Sequence, residues 1–434
     1  MLSWPLLSGW LPVVLHGAAI AATAVLVWRL WWSGTSQHSR IRVVAGCLAV
    51  SATATVVVTY LARNVWLLIP DDSQAAVYVW IGMAMLAISA AIVPVVSDRR
   101  LPRTLAGLVA AAVVVAACAN QVNAVFGVYP TAADALGTGQ FDQVPLPRDD
   151  ASVRVMADAD PVASRWAVPP QLPARGKAAS APIPSPVSGF SARNAEIYLP
   201  PAYFADPRPQ LPVLVLIAGQ PGTPSDWLTA GNLVGTMDSF AAAHAGLAPV
   251  VVVPDGTGSE FGDPLCLDSR RGNADSYLSR DVPAWIRTYL TVDTDPHSWA
   301  VGGLSYGGTC ALQLATNHPD VYPTFLDISG AAEPGLGDRQ KTLAETFSGD
   351  PAPFIRVNPL DLLRSHRYPG SAGAIVVGAG DSDTVGDSRA VYAATQAAGM
   401  NTHYLELPGA HDWRVFSAGL GRELPWLAHQ LNLV

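Results

Sequence analysis

Charge is scarce in this chain. Only 14% of its 434 residues are Asp, Glu, Lys or Arg, against 50% hydrophobic, which excludes an ordinary soluble protein surface over the whole length. Basic residues are scarcer still. There are 26 Lys and Arg against 34 Asp and Glu, a net charge of -8, and this excludes a nucleic-acid partner, whose phosphates require a surplus of cations. Metal-binding patterns are missing, since neither H-E-x-x-H nor a Cys/His cluster at ligand spacing occurs. No internal repeat is visible. Cysteine is limited to four residues, split between Cys47 and Cys118 in apolar runs and Cys266 and Cys310 in the more polar remainder. The second pair reads either as a disulfide or as two unrelated buried thiols, because sequence does not supply the Cα separation that a bridge requires.

The apolar excess is concentrated in the first 125 residues. Four stretches almost free of charge run Leu7–Trp28, Val43–Tyr60, Ala76–Val96 and Leu105–Val122. Each is close to the roughly 20 residues a helix needs to cross about 30 Å of hydrocarbon. The first lacks a basic start and a small-residue cleavage site, so it is read as a membrane helix rather than a signal peptide. Arg29, Arg40 and Arg42 fall in the first loop and Arg99, Arg100 and Arg103 in the third, whereas Arg63 in the second faces Asp71 and Asp72. Arginine-rich short loops stay in the cytoplasm. Loops one and three are therefore expected inside, with the N-terminus and everything after residue 125 outside. Trp4, Trp10, Trp28, Trp31, Trp32, Trp66 and Trp80 cluster near the expected ends as an aromatic belt would.

Three regions follow: a transmembrane part over residues 1–125, an extracytoplasmic proline-rich linker over 126–187, and a catalytic domain over 188–434. Between Pro145 and Pro186 there are nine prolines and little periodic pattern, a composition that favours an extended, semi-rigid spacer. The alternative is a loosely packed first edge of the following domain. From about Ser188, short β-branched runs alternate with helical stretches, which predicts parallel strands joined by crossover helices. The expected strands are Ala195–Leu199, Val213–Ala218, Val250–Pro254, Ala300–Leu304, Thr324–Ile328, Ala374–Val377 and Thr402–Leu405. Helices are expected near Asp226–His244, Tyr277–Tyr289, Gly307–Asn317, Ser388–Ala398 and Trp413–Gln430.

Gly303-Leu304-Ser305-Tyr306-Gly307 is a G-x-S-x-G sequence lying between an expected strand and an expected helix. The glycines leave room for a sharp strand-to-helix turn that projects the serine hydroxyl above the sheet, at a helix N-terminus that favours negative charge. A serine at neutral pH needs a base oriented by a carboxylate. His411, in the turn Pro408–Trp413 between the last strand and the last helix, stands where an α/β-hydrolase presents that base. His16, His38, His244, His318, His403 and His429 read as structural. The acid is expected in Gly378–Asp383. Asp383 is favoured there because the spacing from Gly380 to Asp383 resembles the G-x-x-D turn of related esterases, with Asp381 as the alternative and Asp387 read as a helix cap. Backbone donors for the oxyanion are expected from Tyr306, after the nucleophile, and from Gln220 in the loop Ala218–Gly222.

These residues resemble the esterase D family of α/β-hydrolases, and within it the branch that includes the secreted mycolyltransferases of mycobacteria. The resemblance covers roughly residues 188–434. It also includes Tyr277–Ile286 as the helix before the nucleophile strand, Val301–Ser305, His318-Pro319 and Ser329-Gly330. It implies the α/β-hydrolase fold and supports roles for Ser305, Asp383, His411, Gln220 and Tyr306. Two departures bear on substrate: the mycolyltransferases usually carry Met after the nucleophile and Glu as the acid, where this chain has Tyr306 and an aspartate. They lean toward hydrolysis or another acyl group.

The expected protein is thus a membrane-anchored serine esterase that needs no cofactor. Its expected partners are the membrane and a lipid-linked ester: a lipid ester, an aminoacyl phospholipid or an acylated sugar of the envelope. Acyl transfer between envelope glycolipids and an inactive sensor or scaffold are the alternatives. Apolar residues of Ser259–Asp275 and Gly330–Asp361 are expected to line the acyl pocket.

Overall fold

Four helices open the chain: α1 (Trp10–Ser33), α2 (Gln37–Asn64), α3 (Ala75–Ile92) and α4 (Leu101–Phe126). Each contains an apolar stretch long enough to cross a membrane, and the four expected stretches fall on them one by one. Their large side chains point outward, Val13 and Ile20 being 71% and 73% exposed. The inward faces carry Ala22, Cys47, Ala87, Ala90, Ala110 and Cys118. Small residues let helix backbones approach closely where burial from water supplies no driving force. His16 and Gln121 add a 2.6 Å hydrogen bond between α1 and α4. The structure, a computed structural model, describes residues 4–33, 36–64, 75–92, 101–136, 144–146, 154–156 and 161–434. Trp66, Asp71, Asp72, Arg99, Arg100 and the side chain of Arg63 lie outside the described residues.

The chain divides into two compact units, Met1–Gly139 and Gln140–Val434. The second is built on an eight-stranded sheet: β1 (Lys177–Ala181), β2 (Ala195–Leu199), β3 (Val213–Ile217), β4 (Val250–Val253), β5 (Trp299–Leu304), β6 (Thr324–Ile328), β7 (Ala372–Gly378) and β8 (Asn401–Leu407). Their spatial order is β1-β2-β4-β3-β5-β6-β7-β8. β1 and β2 run antiparallel to their neighbours, and β3 to β8 are parallel. β3 (Val-Leu-Val-Leu-Ile) and β4 (four valines) are buried at every position, as strands covered by helices on both faces must be.

The register determines where loops emerge. Ile217 pairs with Gly303, Leu304 with Ile328, Ile328 with Val376, and Gly378 with Leu407. The loops after β3, β5, β6, β7 and β8 therefore leave one edge of the sheet side by side. The chain reverses direction across the sheet at β3 and β5, the switch point where open α/β sheets hold their ligands.

Three expectations need correction. The segment 126–187 is not only a spacer. β1 extends the sheet, the Val162 and Ala163 N–H groups donate to Asn432 and Leu433 carbonyls, and Trp166 Nε1 donates to Ala245 O at 2.9 Å. The helix expected over Asp226–His244 is broken into Asp226–Thr229 and Leu233–Ala243, because Gly231 packs against Trp227 and Asn232 takes a left-handed φ of 48°. Gly330–Asp361, where no helix was expected, forms helices Arg339–Phe347 and Pro351–Ile355, and a third helix, Pro359–Ser365, begins at its end. The first two are capped by Asp338 and Asp350.

Candidate active site

Ser305 stands at the turn from β5 into the helix Tyr306–Asn317 with φ 53° and ψ −119°, a strained conformation for a residue with a side chain. Two constraints hold it there. Its N–H donates to Ile328 O at 2.8 Å, and its own carbonyl accepts from Gly308 and Thr309 N–H at 2.9 and 3.0 Å. A Cβ on Gly303 would lie 2.7 Å from Gly307 Cα, so the turn closes only with glycine on both sides. The result is a half-buried hydroxyl aimed off the end of the sheet.

His411, in the loop after β8, brings Nε2 to 2.9 Å from Ser305 Oγ. Its Nδ1 lies 2.7 Å from Asp381 Oδ2. The ring is packed edge-on against Phe416 at 5.1 Å, and Asp412 beside it caps the final helix by accepting from Arg414 and Val415 N–H. The acid loop is tied to the histidine loop by Gly380 N–H donating to Gly409 O at 2.7 Å.

The carboxylate on His411 is Asp381, not Asp383. Asp381 N–H donates to Gly378 O at 3.0 Å, which turns the side chain back over the sheet end, and the residue is only 3% exposed. The G-x-x-D turn is therefore counted from Gly378, the last residue of β7, and Asp383 falls on the exposed far side of it. Burial works against the Asp381 charge. Hydrogen bonds from His411 and from Thr384, whose Oγ1 donates at 2.6 Å, outweigh it and hold the carboxyl below its usual range. Asp387, read as a cap, accepts from Ala332 N–H at 2.9 Å and lines the cleft.

Tyr306 and Gln220 both line the cleft beside Ser305. Neither backbone N–H has a protein acceptor among the described residues. The Tyr306 hydroxyl donates to Gly256 O at 3.0 Å and accepts from Cys266 N–H at 2.9 Å. Burial, reinforced by the charge of Asp263, pushes this phenol well above its ordinary value, so it stays neutral and fastens the nucleophile turn to the loop 256–266. The structure pairs Cys266 with Cys310 in a disulfide, Cα atoms 5.5 Å apart, and Gln313 Nε2 donates to Leu265 O at 3.0 Å. Cys47 and Cys118 remain buried free thiols.

The cleft above Ser305 measures about 620 Å³. Its walls do come from the two loops expected to line it, but they are not simply apolar. Leu265, Phe354 and Leu360 alternate with Asp263, Glu333, Asp338 and Arg339. Asp263 was not anticipated; burial raises its carboxyl above the usual range, and its Oδ1 has no partner.

A mostly parallel sheet with a nucleophile turn of this form defines a serine hydrolase of the α/β-hydrolase fold. The Esterase family profile matches residues 191–427, over half of the chain, and the chain belongs to that family. It is 37% identical over 409 residues to an uncharacterized protein of Corynebacterium glutamicum, covering 92% of this chain and 91% of that one. A shorter similarity, 32% over 123 residues, spans 26% of this chain and 38% of the MPT51 antigen of Mycobacterium leprae. Among solved structures, a ferulic acid esterase is 18% identical with a TM-score of 0.52, covering 59% of this chain and 98% of its own. The S-formylglutathione hydrolase of Agrobacterium tumefaciens is 19% identical with a TM-score of 0.51, covering 60% and 97%. At these identities the two structures show the shared fold.

Proposed function

We propose that this chain is a membrane-anchored, extracytoplasmic serine esterase acting through Ser305, His411 and Asp381. The observation that carries the reading is the unbroken chain from Ser305 Oγ to His411 Nε2 at 2.9 Å and from His411 Nδ1 to Asp381 Oδ2 at 2.7 Å. His411 takes the Ser305 proton as Oγ attacks the ester carbonyl, and the oxyanion is held by the Gln220 and Tyr306 N–H groups. The imidazolium then protonates the leaving alcohol, and an acyl-serine remains. Water, deprotonated by the same histidine, releases the acid. Asp381 keeps the imidazole in the tautomer that leaves Nε2 free to accept.

The anchoring half rests on the four apolar helices and on the arginines of the first and third loops. The disulfide supports an oxidising compartment for the catalytic unit. Carboxylates among the cleft walls favour an ester with a polar, hydrogen-bond-donating part. Of envelope esters, aminoacyl-lipids and acylated sugars suit such walls better than a bare long-chain lipid ester. The same polarity suits a polyol acceptor, which keeps acyl transfer as the second reading; acceleration of acyl release by added sugar separates it from hydrolysis. A scaffold role is disfavoured by the assembled triad.

The test is labelling of intact cells with a membrane-impermeant fluorophosphonate. Labelling that disappears in Ser305→Ala and His411→Ala is expected. Labelling only after lysis would overturn the topology, and none in either condition would overturn the enzyme.

A further inference from the structure

The Gln220 loop leaves β3 without regular structure until Asp226, yet an oxyanion donor must be held in place before the reaction begins. On one side, Gly219 lies against the nucleophile turn: a Cβ there would sit 2.7 Å from Leu304 Cδ1 and 3.6 Å from Ser305 Cβ. On the other side, a Cβ on Gly222 would sit 2.7 Å from Gly219 O. Gly219 and Gly222 thus close on each other around Gln220 and Pro221, and a shift of Gly222 is passed to the Gln220 peptide.

Gly222 is fastened from outside the loop. Its N–H donates to Glu260 O at 3.0 Å, and its carbonyl accepts from Arg193 Nη2 at 3.0 Å. Arg193 precedes β2. Its guanidinium grips Asp255, which follows β4, through Nε to Oδ2 at 2.9 Å and Nη2 to Oδ1 at 2.8 Å, and its backbone N–H donates to Oδ2 at 2.7 Å. Nη2 also reaches Thr257 Oγ1 at 2.9 Å. Asp255 is 1% exposed. Burial opposes its charge, but the Arg193 hydrogen bonds hold its carboxyl below the usual range. A planar fork fixed at two oxygens has no freedom left to wander, so the donor facing Gly222 is aimed.

We infer that Arg193 is a positioning residue for the oxyanion hole: clamped on Asp255, it holds the Gly222 carbonyl and through it sets the Gln220 N–H. Arg193 is not among the residues that line the cleft. The inference rests on the reading of Gln220 as an oxyanion donor.

The experiment uses the full chain in detergent micelles, comparing wild type with Arg193→Met and Arg193→Lys. Four readouts are taken: kcat and KM on a soluble p-nitrophenyl ester, the inhibition constant of an arylboronic acid that mimics the tetrahedral adduct, saturating fluorophosphonate labelling, and the melting temperature. For Arg193→Met, kcat is expected to fall about 10- to 100-fold, a fraction of the effect of deleting a donor outright, with KM within about threefold. Boronate affinity is expected to weaken by the same factor as kcat/KM, while labelling still reaches one probe per chain. Arg193→Lys restores charge beside Asp255 and recovers melting temperature, but a point charge does not span Asp255 and Gly222 O, so the kinetic loss persists. If Arg193→Met fails to fold, the lysine variant carries the test alone. A lower melting temperature with kcat and boronate affinity unchanged would overturn the inference, as would a loss confined to KM. A wild type that takes no probe would instead overturn the esterase reading beneath it.

Discussion

The two units of this chain handle apolar side chains in opposite ways. In the first, Val13, Ile20, Val56 and Val109 are more than half exposed; in the second, Val213, Leu214, Val250 and Val301 are fully buried. The hydrophobic effect removes apolar surface from water and has no objection to leaving it in lipid. The difference therefore divides the labour: the first unit carries helices long and apolar enough to span a membrane, and the titratable chemistry lies in the unit that builds its own core.

That division is tested most severely at the proposed triad. Ser305→Ala and His411→Ala should each lower kcat by about 10⁴-fold or more, measured on a soluble ester, while folding is retained. A residual rate within tenfold of wild type would mean that the chemistry lies elsewhere. Next in size is the contrast between neighbours: Asp381→Asn should cost about 10³- to 10⁴-fold in kcat, and Asp383→Asn should stay within about twofold. The reverse order would restore the acid expected from the sequence.

The disulfide comes third. It closes a loop of 44 residues, which in the chain-entropy account contributes about 4 kcal/mol. The double variant Cys266→Ser with Cys310→Ser should melt about 10 °C lower by calorimetry. Substitution of Cys47 or Cys118, which cross-link nothing, should leave the melting of the catalytic unit unmoved.

A smaller effect is expected from pH. Asp327 on β6 is fully buried, and burial raises its carboxyl to about 7, whereas an unfolded chain ionises near 4. The folded state keeps a proton that the unfolded state has released. The stability this proton confers is complete below about pH 4 and is lost as pH rises through about 7. Asp381 has the opposite sign, its contribution failing only as pH drops below 4, so it is silent between pH 5 and 8. Melting temperature should decline across that interval in wild type and decline less steeply in Asp327→Asn, where the raised carboxyl of Asp263 still contributes with the same sign. The smallest change is expected from removing residues 1–139: kcat on a soluble ester should stay within about threefold, and a collapse of activity would show that the helices do more than anchor.

The fold was legible because parallel strands buried on both faces read as unbroken β-branched runs, as Val250–Val253 does, and because G-x-S-x-G has a steric cause visible in its letters. His411 was legible from its position between the last strand and the last helix. The acid was ambiguous for a physical reason: Gly378 and Gly380 both begin a G-x-x-D, and only the length of β7 decides which turn forms. β1 escaped because Lys-Ala-Ala-Ser-Ala has little strand preference of its own and is a strand through its pairing with β2. Arg193 and Asp255 lie 62 residues apart in sequence, and nothing local announces that they meet beside the Gly222 carbonyl of a third segment.

The bonds from Val162 and Ala163 to Asn432 and Leu433 join opposite ends of the catalytic unit. Synthesis delivers Val162 and Ala163 well before Asn432 and Leu433, so the segment ahead of β1 has no partner for these two bonds until the strands and helices between them have been made. The clasp is thus a contact between residues far apart in the chain, and a chain cut short before Asn432 would lack it.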